Sequence, residues 1–270
     1  MNTIYLVNKT TELRKLILQT VYGAKSGHIG GSFSSAEILT ALYFERMKLD
    51  ENNPRWEGRD RFVLSKGHIT PAYYSVLAMR GFFPIEELKT FRKLGSKLQG
   101  HPDRNKVSGV DMSSGSLGQG ISSAVGIALA GKLKKADYRV YTLVGDGEIQ
   151  EGQVWEAAMF ASHHKLDNLC VIIDNNGIQS DGPIESINSP YPIDQKFLAF
   201  GFNVITVDGH DFKQLINAFN NAELVKEKPT VIIAKTVKGK GVSFMENKAS
   251  WHGKVPSEEE FEFAMKELGD

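Results

Sequence analysis

RVYTLVGDGEIQEGQVWEA, residues 139–157, and LCVIIDNNGIQ, residues 169–179, decide the fold. Each opens as a short apolar run rich in β-branched residues and stops abruptly at Gly, Asp or Asn. A strand buried on both faces of a parallel sheet reads this way when its carboxyl end opens into a polar site. The first run delivers Asp146 between Gly145 and Gly147; the second delivers Asn176 behind Asp174 and Asn175. Twenty-seven residues, 148–174, separate the GDG from the NN. Either cluster alone is an ordinary turn signal, so the information lies in the pair and its spacing. A carboxylate and an amide oxygen suit a hard divalent cation that shares its shell with a phosphorylated ligand. Gly147 allows backbone to approach a phosphate. The helical stretch EGQVWEAAMFASHHK then aims its amino end at the anion.

Outward from this pair, strands are predicted over 61–65, 202–207 and 229–236, beside 139–144 and 169–174. An amphipathic helix is predicted over 10–25, where Leu13, Leu16, Ile17, Thr20 and Val21 share a face. A second helix over 34–46 carries a start signal, Ser34 with Glu37 three residues on. Further helices are predicted over 70–80, 84–94 and 116–135, and from Ser257 to the end. Strands alternating with helices imply an α/β fold, a three-layer α/β/α arrangement around a mainly parallel sheet. Ligands on such sheets sit at the carboxyl ends of strands. No repeat or linker divides the chain, so residues 1–270 are expected to form one domain.

The 32 basic and 32 acidic side chains cancel, which argues against nucleic acid or membrane partners. No stretch approaches the ~20 apolar residues of a spanning helix. The amino end lacks the features of a secretory signal, so the cytoplasm is the expected location. The single cysteine, Cys170, lies in an apolar strand run and is expected to be buried and reduced.

Five of the seven histidines adjoin a glycine: His28, His68, His101, His210 and His252. Their wide spacing and the lack of cysteine partners make zinc a poor explanation. A histidine in a loop is commonly just solvated, and His163 and His164 fall on a predicted helix, where a structural role is expected. Three of the five, His28, His68 and His101, stand in ordered motifs: SGHIGGSFSSAEILTALYF, FVLSKGHITPAYY, LQGHPD, SSGSLGQG and the GDG–NN pair. In that order these motifs resemble the amino-terminal, thiamine diphosphate-binding half of transketolase, from about residue 10 to the chain end. The resemblance implies thiamine diphosphate with Mg²⁺, or another divalent cation such as Ca²⁺ or Mn²⁺. Asp146, Asn176 and the Ile178 carbonyl would be the metal ligands. It implies that His68 and His252 approach the diphosphate, and that His28, His101 and His252 line the channel at the cofactor's reactive carbon. Gly115 and Leu117 would meet the aminopyrimidine, with Gly147 and Asn176 at the diphosphate. Glu151 matches a family glutamate that couples paired sites; it reads equally as an acid favoured by a helix amino terminus. Ile29 and Ser116 stand where many relatives carry Pro, and neither change removes a functional group.

Full transketolases carry two further domains, one of which holds the glutamate that activates the cofactor. This chain shows no counterpart of that glutamate and lacks most of the family's sugar-phosphate positions. Truncation is one explanation. The orderly ending, Pro256-Ser257 followed by SEEEFEFAMKELGD, favours a split enzyme. Its partner would be a carboxy-terminal transketolase subunit carrying the pyrimidine-binding domain. Self-association into a two-plus-two heterotetramer is expected, because paired sites need both halves twice. The expected reaction moves a two-carbon ketol unit between sugar phosphates, as in the pentose phosphate pathway and related carbohydrate metabolism. The rivals are a specialised ketol or acyl transferase subunit, deoxyxylulose-phosphate synthase, and a non-catalytic cofactor-binding subunit.

Overall fold

Val140–Gly145, Leu169–Asn175 and Thr230–Lys235 are almost continuously apolar, and the structure buries them in the middle of a sheet. It is a computed structural model that describes residues 2–269. In chain order the elements begin with α1 (Thr3–Ala24), α2 (Ile29–Ser34) and α3 (Ala36–Ala41), then β1 (Arg61–Leu64) and α4 (Thr70–Met79). Next come α5 (Gln119–Leu133), β2 (Val140–Gly145), α6 (Gly152–His163) and β3 (Leu169–Asn175). The remainder comprises α7 (Ile184–Asn188), α8 (Ile193–Ala199), β4 (Asn203–Asp208), α9 (Phe212–Leu224), β5 (Thr230–Lys235) and α10 (Glu258–Glu267).

The five strands are parallel throughout, in the order β1-β2-β3-β5-β4. Because side chains alternate along a strand, each central strand feeds both faces. Leu143, Ile172 and Ile232 point to the core formed with α1, α4 and α9. Val144, Val171, Ile173 and Val231 point to the core formed with α5 and α6. Each fully buried Val, Ile or Leu contributes about 1.5–3 kcal/mol, so this two-sided burial holds the strand ends in place. Cys170 is fully buried in β3, and burial pushes its thiol up to about 12.

Several boundaries depart from the pattern. Helix α1 starts at Thr3, capped by the Asn2 side chain, rather than near residue 10. The stretch over 84–94 shortens to a 3-10 turn, Ile85–Thr90. The start signal at Ser34 is overturned: Ser34 ends α2, and its hydroxyl donates to Asp174 at 2.6 Å. Glu37 instead accepts from Arg14 at 2.7 Å and pairs with His210 at 2.8 Å. A buried carboxylate reaching its long-range cation outweighs a local cap worth ~1 kcal/mol. The capping box expected at Ser257 is present, with Glu260 returning to the Ser257 backbone. Among the described residues no helix is long and apolar enough to cross a membrane.

Candidate active site

The carboxyl ends of β1, β2, β3 and β5 open into one cavity of about 510 Å³. Asp174, near the end of β3, is fully buried beside it. Asp174 pairs with the Lys66 ammonium and accepts from Ser34, Ser35 and Thr236. Burial alone raises a carboxyl pKa; here Lys66 and the hydroxyls outweigh it and hold Asp174 below its ordinary value. Removing one partner of such a buried pair costs about 3–5 kcal/mol. The Asn176 amide also donates to Asp174, at 3.2 Å, which turns its oxygen away from the carboxylate.

Asp146 sits one residue past β2 and is almost wholly buried. It accepts from the backbone of Gly147 at 2.8 Å and of Gly177 at 2.6 Å. Burial and the nearby Asp174 carboxylate push its pKa up to about 6 against those two donors. Asn176 Oδ1 accepts from the Ile178 amide at 3.1 Å, and the Ile178 carbonyl accepts from Lys238 Nζ at 3.0 Å. Asp146, Asn176 and Ile178 all line the cavity. They offer three hard oxygens with lone pairs to spare. Among the described residues no cluster of three His, Cys, Asp or Glu forms an all-protein cage. That donor set fits Mg²⁺, which takes few protein ligands and completes its shell with phosphate and water.

Lys238 is the residue that composition and motif reading missed, together with Lys66 and Gln179. It is 2 % exposed, and its ammonium meets the Ile178 carbonyl and His252 Nδ1, each at 3.0 Å. Among the described residues it has no carboxylate in ion-pair range. Burial, then repulsion from Lys66, lowers its pKa to about 8. A buried cation without a counterion is the complement of a diphosphate. The KGKG run after β5, residues 238–241, was the available signal. That loop is held from behind: His210 Nε2 accepts from the Val237 amide at 2.9 Å, and Gly239 donates to the Gly30 carbonyl at 3.0 Å. His210 is therefore a structural bridge between this loop and Glu37, not a cavity residue.

Three imidazoles close one wall. The ring centroids of His28, His68 and His252 lie 5.0 to 5.4 Å apart. His28 Nδ1 is buried and lacks a hydrogen-bond partner, a need that a polar ligand atom would satisfy. Burial, with Arg92, His101 and Lys238 adding repulsion, lowers His28 to about 4. Burial and Lys238 bring His252 to about 4 as well. Burial and Lys66 hold His68 well below its ordinary value. All three are neutral at pH 7, able to accept a proton or donate one hydrogen bond.

These low pKa values carry a stability consequence. Unfolded, each ring takes a proton near 6.5; folded, His28 and His252 resist until about pH 4. The unfolded state binds more protons across that window, so stability is full above pH 6.5 and is lost as pH falls toward 4. Thermal midpoints of the chain should drop over this range, and drop less in a His28→Asn/His252→Asn variant. An identical slope in that variant would assign the loss to other groups.

His101 and Leu117 border the same cavity, and Gly115 lies behind the His101 ring, where an added Cβ would sit 3.4 Å from it. The Gly115–Gly118 loop is tied down by Glu148, two residues beyond Asp146. Glu148 accepts from Ser65 at 2.5 Å, Gly118 at 2.9 Å and Gly145 at 3.0 Å. Gly118 has φ +80°, and a side chain on Gly120 would strike the Ser65 backbone at 2.5 Å, so both positions require glycine. Glu151 is the exposed residue preceding α6, makes no capping bond, and faces the cavity. Ten of the eleven site residues expected from sequence therefore line this cavity, and the eleventh, Gly115, supports it.

Fold and cavity together define an α/β domain built to receive an anion at its strand ends. The family model for the transketolase thiamine diphosphate binding domain matches residues 7–270. The chain belongs to the transketolase family and corresponds to its thiamine diphosphate-binding domain. It is 45 % identical to a 6-deoxy-6-sulfo-D-fructose transketolase subunit of Clostridium sp. (strain MSTE9), covering 98 % of this chain and 96 % of that protein. It is 43 % identical to an apulose-4-phosphate transketolase subunit of Phocaeicola vulgatus, covering 95 % and 91 %. The transketolase of Campylobacter jejuni superposes with a TM-score of 0.94 at 37 % identity, over 100 % of this chain and 43 % of that one. The chain thus spans about two fifths of the full-length transketolase structures it matches.

Proposed function

We propose that the chain is the thiamine diphosphate- and Mg²⁺-binding subunit of a two-subunit transketolase. It works with a partner that brings the pyrimidine-binding domain, and together they transfer a two-carbon ketol unit from a ketose to an aldose. The observation that carries this reading is the buried Lys238 ammonium on the Ile178 carbonyl, in one cavity with the oxygens of Asp146 and Asn176. When bound, thiamine diphosphate supplies the nucleophilic carbon and the electron sink that the ketol unit requires. Asp146, Asn176 and the Ile178 carbonyl hold the cation, while Lys238 and His68 bind the diphosphate, which Gly147 lets approach the backbone closely. Gly115 and Leu117 support the pyrimidine end. His28, His101 and His252 orient donor hydroxyls and move protons as neutral bases.

Two observations support a partner. Several similar proteins are named as subunits, each nearly as short as this chain. On the outer side of α6, Met159 and Phe160 are 60 % and 42 % exposed, large apolar surface suited to a protein interface. A two-plus-two assembly satisfies the need for two complete sites. Sugar phosphates are the expected substrates. The relatives named for a sulfosugar and for apulose 4-phosphate favour, as second reading, a specialised sugar within the same reaction class.

The roles separate in kinetics. His28→Ala and His101→Ala should lower turnover of the reconstituted enzyme about 10²–10⁴-fold with nearly unchanged cofactor affinity. His68→Ala should chiefly weaken cofactor binding. Steady-state rates set beside calorimetric affinities would read both. Equal loss of cofactor affinity in all three variants, with turnover intact at saturation, would contradict this division.

A further inference from the structure

A second recess, of about 530 Å³, lies along the β1 edge of the fold, away from the strand ends that build the first cavity. Arg55, Arg59, Arg61, Arg104 and Lys106 line it, and Asp111 is its one carboxylate among the described residues. Asp111 is already committed: one oxygen pairs with Arg59, and the other accepts from the Phe62 amide at 2.8 Å. Among the described residues Arg61 has no carboxylate in ion-pair range. Its guanidinium donates to the carbonyls of Arg59 and Glu57 and lies 4.4 Å from the Tyr138 ring centroid. The side chains of Arg55 and Arg104 make no hydrogen bond or ion pair among the described residues, and Lys106 approaches Asp103 only at 3.8 Å.

Three guanidinium groups, Arg55, Arg61 and Arg104, therefore share a concavity with no carboxylate in ion-pair range of them among the described residues. Like charges gathered in a concave wall focus a positive potential at its centre. Burial and the Arg59 guanidinium lower the Arg61 pKa, against the opposing pull of Asp111 and Asp60. The chain as a whole is neutral, so the charge is local and does not form a stripe for a polyanion. The volume falls in the small-ligand class of about 300–1,000 Å³. Guanidinium forks match phosphate oxygens two at a time, which lysine clusters do not.

We propose that this arginine recess is a binding site for a small phosphorylated anion, distinct from the thiamine diphosphate cavity. The site takes a phosphate group on Arg55, Arg61 and Arg104, with Arg59 fixed behind them by Asp111. Free phosphate and the phosphate of a sugar share this chemistry.

The test uses the full chain with its first cavity saturated by thiamine diphosphate and Mg²⁺. Inorganic phosphate, and separately a pentose 5-phosphate, are titrated at constant ionic strength by equilibrium dialysis. The expected result is saturable binding that falls at least about tenfold in Arg55→Ser/Arg104→Ser. Both side chains are free, so that variant should fold, and matching unfolding midpoints without phosphate would establish it. Arg104→Glu, a single reversal, should weaken binding in the same direction. Tighter binding of the pentose phosphate identifies a phosphosugar site, and equal affinity identifies a phosphate site. Non-saturable binding, or affinity unchanged in both variants, overturns the proposal.

Discussion

Asp146→Ala is expected to abolish Mg²⁺-dependent binding of thiamine diphosphate, lowering affinity by more than about 100-fold, since even outer-shell partners of a metal contribute 10–100-fold. Asp146 is the one carboxylate among the three proposed protein ligands. Without it, Asn176 and the Ile178 carbonyl offer only neutral oxygens to a cation that prefers hard anionic ones. The fold should survive. Asp146 lies beyond β2; of its backbone donors, Gly147 lines the cavity and Gly177 lies between the cavity residues Asn176 and Ile178. Asn176→Ala should cost less, because it removes a neutral ligand, though it also frees Asp174 from one donor. Calorimetric titration with and without Mg²⁺ measures both. Full-strength binding in Asp146→Ala would remove the metal assignment.

The second large effect is the silence of the isolated chain. On its own it should show no ketol transfer, even with saturating thiamine diphosphate and Mg²⁺, and mixing with the partner should restore activity. The cavity supplies cations and neutral imidazoles around an anion; besides the proposed metal ligand Asp146, the buried acids at its base, Asp174 and Glu148, are already engaged. Asp174 is tied to Lys66, and Glu148 is tied to Ser65, Gly118 and Gly145. Neither is free to act on the far ring of the cofactor. Separate and mixed assays, with mass from light scattering, check this. Robust transfer by the chain alone would require an activating acid within these residues and would end the two-subunit reading.

Much of the frame was legible because burial writes itself into composition. The runs 139–144 and 169–174 are apolar on both faces, and only a central parallel strand needs that. The proposed cation ligands were legible through the glycines and amides that end those runs. Harder to read was anything decided by distance in space. Ser34 carries a local helix-start pattern, but a partner 140 residues away, Asp174, claims its hydroxyl. Lys66 and Lys238 look like surface lysines until the sheet brings both into one cavity. His210 shares its glycine neighbour with the cavity histidines, yet Glu37 and Val237 occupy both of its nitrogens. The arginine recess joins residues 55–61 to residues 104–111 across the β1 edge, and neither stretch shows the pairing alone.

The most direct test is the anomalous map of a crystal grown with thiamine diphosphate and Mn²⁺. The account predicts one metal peak coordinated by the Asp146 carboxylate, the Asn176 amide oxygen and the Ile178 carbonyl, with diphosphate oxygens reaching Lys238 and His68. Diphosphate bound elsewhere, or a metal peak that these three residues do not coordinate, would contradict it.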